Sequence, residues 1–480
     1  MKLRNRKSEL LFRRMALQLL VSLLLLPAGQ SVVLADPPHA NGWRTAQTAR
    51  HVTLVLAGDT GFSPDKALPD AAGVRKHGKF LTFDEALQSI APLIDGDINF
   101  ANLETVVSAR TDMRAVDKAY NFVTHPDAVD SLARHGFNLF STANNHAFDF
   151  GTPGILETLD NLRALGDRVS FAGTGMNRNE AARSIELRAP GASLRFSAIG
   201  IGAGPAGDKR PGQLSIHLKE NQDQLIANLL GEPADFRLVS VHSGTERDPD
   251  PTGFQMAFLR DRLALEAGID LIVGHHAHVA QPVVMAGNSL VFFGLGNFLH
   301  HGTANMNATG VCRDWSILAR VHLVDNASGK LTVGAVQIIP IRNTHLQTER
   351  LPPQEASRRI AILNGLSARL DNTAKKTRGL RFVAGEDGSG LWCSAEARQA
   401  TSPLATLCLG YLDTVSASNP AVPDCGADRK RSAAKATISG NGKPRSGRKP
   451  ANLREFWQQQ SEKARARRNR LFHPNRDANR

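Results

Sequence analysis

Three imidazoles fall within four positions of this 480-residue chain, His275, His276 and His278 in the run Gly274-His275-His276-Ala277-His278. Neutral imidazole is the commonest side-chain ligand for transition metals, so the cluster points first to metal chemistry. With extended backbone after the apolar residues 271–273, His276 and His278 share a face and converge, while His275 points away. A second group, Asn144-Asn145-His146 with Asp149 three positions on, pairs an amide oxygen that binds a cation without adding charge with a histidine able to give a proton to a leaving group. Asp59 within Gly58-Asp59-Thr60-Gly61, Glu104 within Asn102-Leu103-Glu104, and His242 and Glu246 within His242-Ser243-Gly244-Thr245-Glu246 add carboxylates and a further imidazole. Each alone reads as an ordinary strand-exit or capping residue.

What joins them is the pattern of elements that must carry them. Short β-branched runs at residues 52–57, 98–101, 138–142, 238–241, 271–273 and 290–295 alternate with helical stretches, as in parallel strands joined by crossover helices. The clearest helix follows Thr152-Pro153, read as an N-cap with proline at the first helical position, and stops at Gly166; others are expected at 252–267 and 355–370. Residues 317–324 and 331–341 read as an antiparallel hairpin, which makes the sheets mixed. Five strands therefore end in Asp59, Glu104, Asn145, His242 and the His276/His278 pair, and strand C-termini are where α/β sheets build their sites. A mixed carboxylate, amide and imidazole set suits Zn, Mn or Fe better than Ca.

The formal net charge of +13 suggests a nucleic-acid or membrane-surface partner until it is divided by region. Residues 1–35 hold six Lys/Arg against one acid, and residues 428–480 hold sixteen against four, leaving residues 36–427 with a net charge of −4. The first block, a cationic stretch followed by about a dozen apolar residues and a small-residue cleavage pattern, reads as a secretory signal, so nucleic acid is not expected as a partner. The last block reads as a disordered basic tail suited to contact with lipid headgroups or an anionic polymer. An exported location, periplasmic or associated with the cell envelope, permits disulfides among Cys312, Cys393, Cys408 and Cys425, with three pairings open. The expected organisation is a signal at 1–35, a linker at 36–50, the main domain at 51–345, a cysteine-bearing extension at 346–427 and the tail at 428–480.

The ordered series GDTGFS, NFANLETVVS, ANNHAFDFG, VHSGTE, GHHAHVAQPV and FGLGNF resembles the CapA family of capsule proteins associated with poly-gamma-glutamate synthesis. That family is in turn similar to the calcineurin-like metallophosphoesterases. The resemblance implies a four-layer αββα sandwich of class α/β, with two divalent ions held at strand ends. It implies Asp59 as a ligand of the first ion, Glu104 in the bridging place with Asn102 nearby, Asn145, His242 and His276 at the second ion, and His278 at the first. His146 would contact the substrate, and Asp149 and Glu246 would orient the histidines from beside them; Asn144 and His275 adjoin these residues without an assigned role, and Asn297 in the GNF motif has no role readable from sequence. Gly61 departs from the pattern, because phosphoesterases place a histidine there. The implied activity is metal-dependent hydrolysis of an anionic envelope polymer or a phosphoester. The alternative is a non-catalytic envelope protein that binds or helps export such a polymer.

Overall fold

The computed structural model describes residues 49–64, 67–411 and 425. The apolar run read as an export signal and the basic tail lie outside the described residues. Among the described residues, no helix is long and apolar enough to cross a membrane.

The strand His51–Gly61 shows how the layers arise. Its side chains alternate, with Val52, Leu54 and Leu56 facing one core and Val55 and Ala57 facing another, so both faces of the strand are covered. Ile98–Leu103, Leu139–Ser141 and Ser170–Ala172 follow it in parallel on one side, and the antiparallel hairpin Ser316–Asp325 and Leu331–Arg342 lies on the other. In the second sheet Ala192–Gly200, Phe236–His242, Leu271–His275 and Ser289–Phe292 are parallel neighbours, and antiparallel strands close both edges.

Leu54 and Phe100 from the first sheet meet Phe196, Leu238, Val273 and Phe292 from the second in one shared core. Each such buried side chain contributes about 2 to 3 kcal/mol. Helices Phe83–Leu87, Pro126–Arg134 and Gly151–Ala164 cover the outer face of the first sheet through Leu87, Leu132, Ile155 and Leu159. Lys219–Leu230 and the wide-turned segment Met256–Glu266 cover the second through Leu225, Leu229, Leu259 and Leu263. The result is the expected four-layer αββα sandwich.

Three local features differ from the sequence reading. Thr152 is not an N-cap: the helix begins at Gly151, whose φ of 63° turns the chain into it, and no side chain caps that end. The strands Ile185–Ala189 and Ala192–Gly200 were not anticipated; the former is an edge of the second sheet and the latter lies just inside it. Residues beyond 345 contribute to both sheets, Thr377–Gly379 to the second and Gly390–Cys393 to the first. Of the three open cysteine pairings, the structure has Cys312–Cys425 with Cys393–Cys408.

One close approach sets the end of the first strand. The register with Ile98–Leu103 shifts between Leu56 and Asp59, and Asp59 donates its N–H to the Gly296 carbonyl at 3.0 Å. A Cβ on Gly58 would lie 1.8 Å from that same carbonyl oxygen. Gly58→Ala is therefore expected to cost about 3 kcal/mol by forcing the first strand away from the Gly296 backbone. Urea unfolding checks this, and an unchanged midpoint would refute it.

Candidate metal centre

Glu104 follows the strand Ile98–Leu103 and is completely buried, yet neither carboxylate oxygen has a hydrogen-bond donor. Four imidazoles surround it instead. Oε1 lies 3.4 Å from His242 Nε2 and 3.8 Å from His146 Nε2, and Oε2 lies 3.6 Å from His300 Nε2 and 3.8 Å from His278 Nδ1. Such spacings are long for hydrogen bonds but suit atoms sharing a cation, since bonds of about 2.1 Å at tetrahedral angles put ligand atoms about 3.4 Å apart. Two ligand triads share this carboxylate, Asp59 with Glu104 and His278, and Glu104 with His242 and His276. Exposed Glu246 forms a third group with His276 and His278.

The surrounding residues aim these groups. Asn102, the register partner of Asp59, donates its amide to Asp59 Oδ1 at 2.8 Å and lies 3.1 Å from His242 Nδ1. Asn145 Oδ1 is 2.6 Å from His242 Nε2, which places the amide oxygen beside the second triad. Asn144 donates to the Leu103 carbonyl and accepts from the His146 N–H, pinning the loop to the strand that leads to Glu104. Asn297, for which sequence offered no role, places Oδ1 2.8 Å from His278 Nδ1. Asp149 Oδ2 is 2.7 Å from His146 Nδ1 and accepts the Phe122 N–H, while Lys118 binds Asp149 Oδ1 at 2.6 Å. Asp149 thus acts through His146 and turns its Nε2 toward Glu104.

His275 corrects the expectation that it points away. The strand runs through His275, and His276 and His278 have φ of 87° and 57°, so the extended alternation ends before them. His275 pairs in register with His242, and its Nδ1 lies 3.4 Å from Asp59 Oδ1, inside the cluster. His300 and Lys118 were missed. Neither carries a local signal, because His300 is brought in by the parallel pairing of Asn297–His300 with the end of the first strand, and Lys118 by a loop.

Electrostatics follow from this crowding. Burial opposes charge on Asp59, but His275, His278 and His242 hold its pKa well below the ordinary value. Burial, then the Asp59 charge, pushes Glu104 well above its own. Burial drives His242 and His300 well below 6.5 and, helped by His278, His276 to about 3. Burial also opposes charge on His278, yet Glu104 and Asp59 outweigh it and raise its pKa to about 10. The neutral imidazoles keep lone pairs for a metal, and the buried carboxylates favour a cation between them.

Four layers of α, β, β and α, with carboxylate and imidazole groups that could hold a metal gathered at strand ends, make a metallophosphatase-like fold. Within it, the chain belongs to the bacterial capsule synthesis protein family PGA_cap, whose profile matches residues 53–301. It is 28% identical over 264 residues to the PGA biosynthesis protein CapA of Bacillus subtilis, covering 53% of this chain and 65% of that one. It is 26% identical over 267 residues to the capsule biosynthesis protein CapA of Bacillus anthracis, covering 53% and 62%. The match thus spans less than two thirds of either relative. A solved structure described as a novel phosphatase from Mycoplasma pneumoniae aligns at 14% identity with a TM-score of 0.37, covering 64% of this chain and 97% of that one.

The opposed shifts give a pH signature for metal-stripped protein. His276, with a folded pKa below 6.5, takes up its proton later than the unfolded chain does, so stability declines as pH falls from 6.5 toward 3. His278 contributes fully below 6.5, and that contribution is lost as pH rises toward 10. The urea midpoint is expected to peak near pH 6.5, and His278→Gln is expected to weaken the alkaline limb, which Glu104 shares, and to ease the acid limb by removing the charge that helps depress His276. A midpoint still rising between pH 7 and 9 would contradict this.

Proposed function

We propose that this chain is an exported, metal-dependent hydrolase of capsule or envelope polymer biosynthesis with a two-ion centre. The observation that carries the reading is Glu104, a buried carboxylate without donors, set between two ligand triads that share it. Asp59, Glu104 and His278 would hold one ion; Glu104, His242 and His276, with Asn145 beside them, would hold the other. Divalent Zn, Mn or Fe bound there supplies Lewis-acid polarisation of the scissile group and lowers the pKa of a water toward about 7.

The chain's own residues would do the rest. With Nδ1 held by Asp149, His146 presents Nε2 to the centre as the nitrogen that exchanges the leaving group's proton. Phe122 packs against the same ring at a 34° tilt, with centroids 4.2 Å apart, and limits its rotation. Lys118, partly exposed beside His146, adds positive charge for an anionic substrate. The printed names of the relatives connect them with PGA and capsule synthesis, which favours a polyanionic envelope polymer cleaved at a γ-glutamyl amide or a phosphoester. Two disulfides suit an oxidising compartment and support export.

Full-length protein, stripped and reconstituted separately with Zn, Mn and Fe, is expected to bind two ions per chain and to turn over one of three reporters: phosphodiester, phosphomonoester or γ-glutamyl. Glu104→Gln is expected to lose both metal and turnover. His146→Gln is expected to keep the metal and lower kcat about 100- to 10,000-fold. Failure to take up any of the three metals would sink the proposal. Metal uptake with no turnover on any reporter would favour the polymer-binding alternative.

A further inference from the structure

We infer that His300 is a positioning residue that donates an Nε2–H to the Glu104 carboxylate, and is not itself a metal ligand. The inference rests on the metal-centre reading above for its functional meaning, but on separate geometry for the direction of the hydrogen bond. His300 ends the strand Asn297–His300 and is the register partner of Gly61. Its ring is completely buried and packs edge-on against both His278 and Phe122, with centroids 5.9 and 5.1 Å away. A Cβ on Gly61 would meet the His300 ring at an ordinary contact distance of 3.6 Å, so a longer side chain there would press into the imidazole. The imidazole thus lies against the position where the family resemblance leads one to expect a histidine ligand.

Its tautomer distinguishes it from such a ligand. The backbone N–H of Gly302 donates to His300 Nδ1 at 3.1 Å. A backbone donor cannot be reversed by flipping an amide, so Nδ1 is the acceptor, and the neutral ring carries its proton on Nε2. A protonated nitrogen has no lone pair for a metal. Nε2 has no hydrogen-bond partner and faces Glu104 Oε2 at 3.6 Å, so a small tightening of the site makes Nε2–H to Oε2 a normal hydrogen bond. Carboxylates that bind metals are commonly held by such a donor, which fixes which lone pairs remain for the ions.

The turn that dictates the tautomer is itself held. Lys76 donates to the carbonyls of His301 and Thr303 at 2.5 and 2.6 Å, His301 N–H donates to Gly61 O at 2.8 Å, and His300 N–H donates to Thr344 O at 2.6 Å. Gly302 has no alternative occupant, because a Cβ there would lie 2.4 Å from the Phe122 ring. The turn leaves His300 one ring orientation and one free N–H.

The test uses full-length protein with histidine 15N labels. Nitrogen–proton correlation spectra, in the stripped and the Zn-loaded state, are expected to show His300 as the Nε2–H tautomer in both. A competition assay with a chromogenic chelator is expected to give Zn affinity within about threefold of wild type for His300→Gln, which keeps an N–H donor. His300→Leu, which fills the space without one, is expected to bind at least about tenfold more weakly at an unchanged urea midpoint. An Nδ1–H tautomer, or an Nε2 shifted by direct ligation on adding Zn, would overturn the inference in favour of a ligand. Equal affinity for Leu and Gln variants would reduce His300 to packing. A wild-type chain that takes up no metal refutes the metal centre, and the tautomer in the stripped protein still decides the donor assignment.

Discussion

A carboxylate buried without a hydrogen-bond donor is costly, and Glu104 is such a group. Its surroundings read as the means of bearing that cost: Asp59 opposite, imidazoles from four separate chain segments around it, and no lone pair satisfied by a backbone N–H. Without a cation in this set, protons must offset the buried carboxylates, and so Glu104 and His278 are both raised while Asp59 is held well below the ordinary carboxylate value. The interior around them has to be rigid, because a site that relaxed would bring in water and dissolve the constraint.

That rigidity comes from the two sheets. Each parallel strand is covered on both faces, by the shared core on one side and by helices on the other, so strand ends cannot tilt without disturbing three packed layers. At the edge of that block, glycines allow backbones to approach more closely than any side chain permits. Gly58 lies against the Gly296 carbonyl, and Gly274 against Phe293 O, where a Cβ would come within 2.0 Å. The acid and imidazole side chains that follow, those of Asp59, His275, His276 and His278, are delivered by these contacts.

Much of this arrangement is legible in the sequence. Alternation of β-branched runs with helical stretches reveals the parallel strands, and polar residues after those runs mark Asp59, Glu104, Asn145 and His242 as members of one edge. The Ala192–Gly200 strand escaped because Gly, Ser and Arg dilute its apolar alternation, and it is neighbours on both sides that make it a strand. The Thr152 cap was misplaced because Thr-Pro satisfies the local rule, while the preceding glycine's positive φ turns the chain one residue earlier.

The sequence by itself marked Asp59, Glu104, Asn145, His146, His242, His276 and His278 for one site, since residue type and strand order survive any choice of register. Only the tertiary structure decided how they are used. His275 joins the cluster because it stands in register with His242 on a neighbouring strand, and His276 and His278 turn inward through left-handed backbone. His300 enters from a strand end 239 positions beyond its partner Gly61, its proton placed by the Gly302 N–H. Such assignments depend on ångström-scale distances between segments far apart in the chain, and periodicity along one segment carries no information about them.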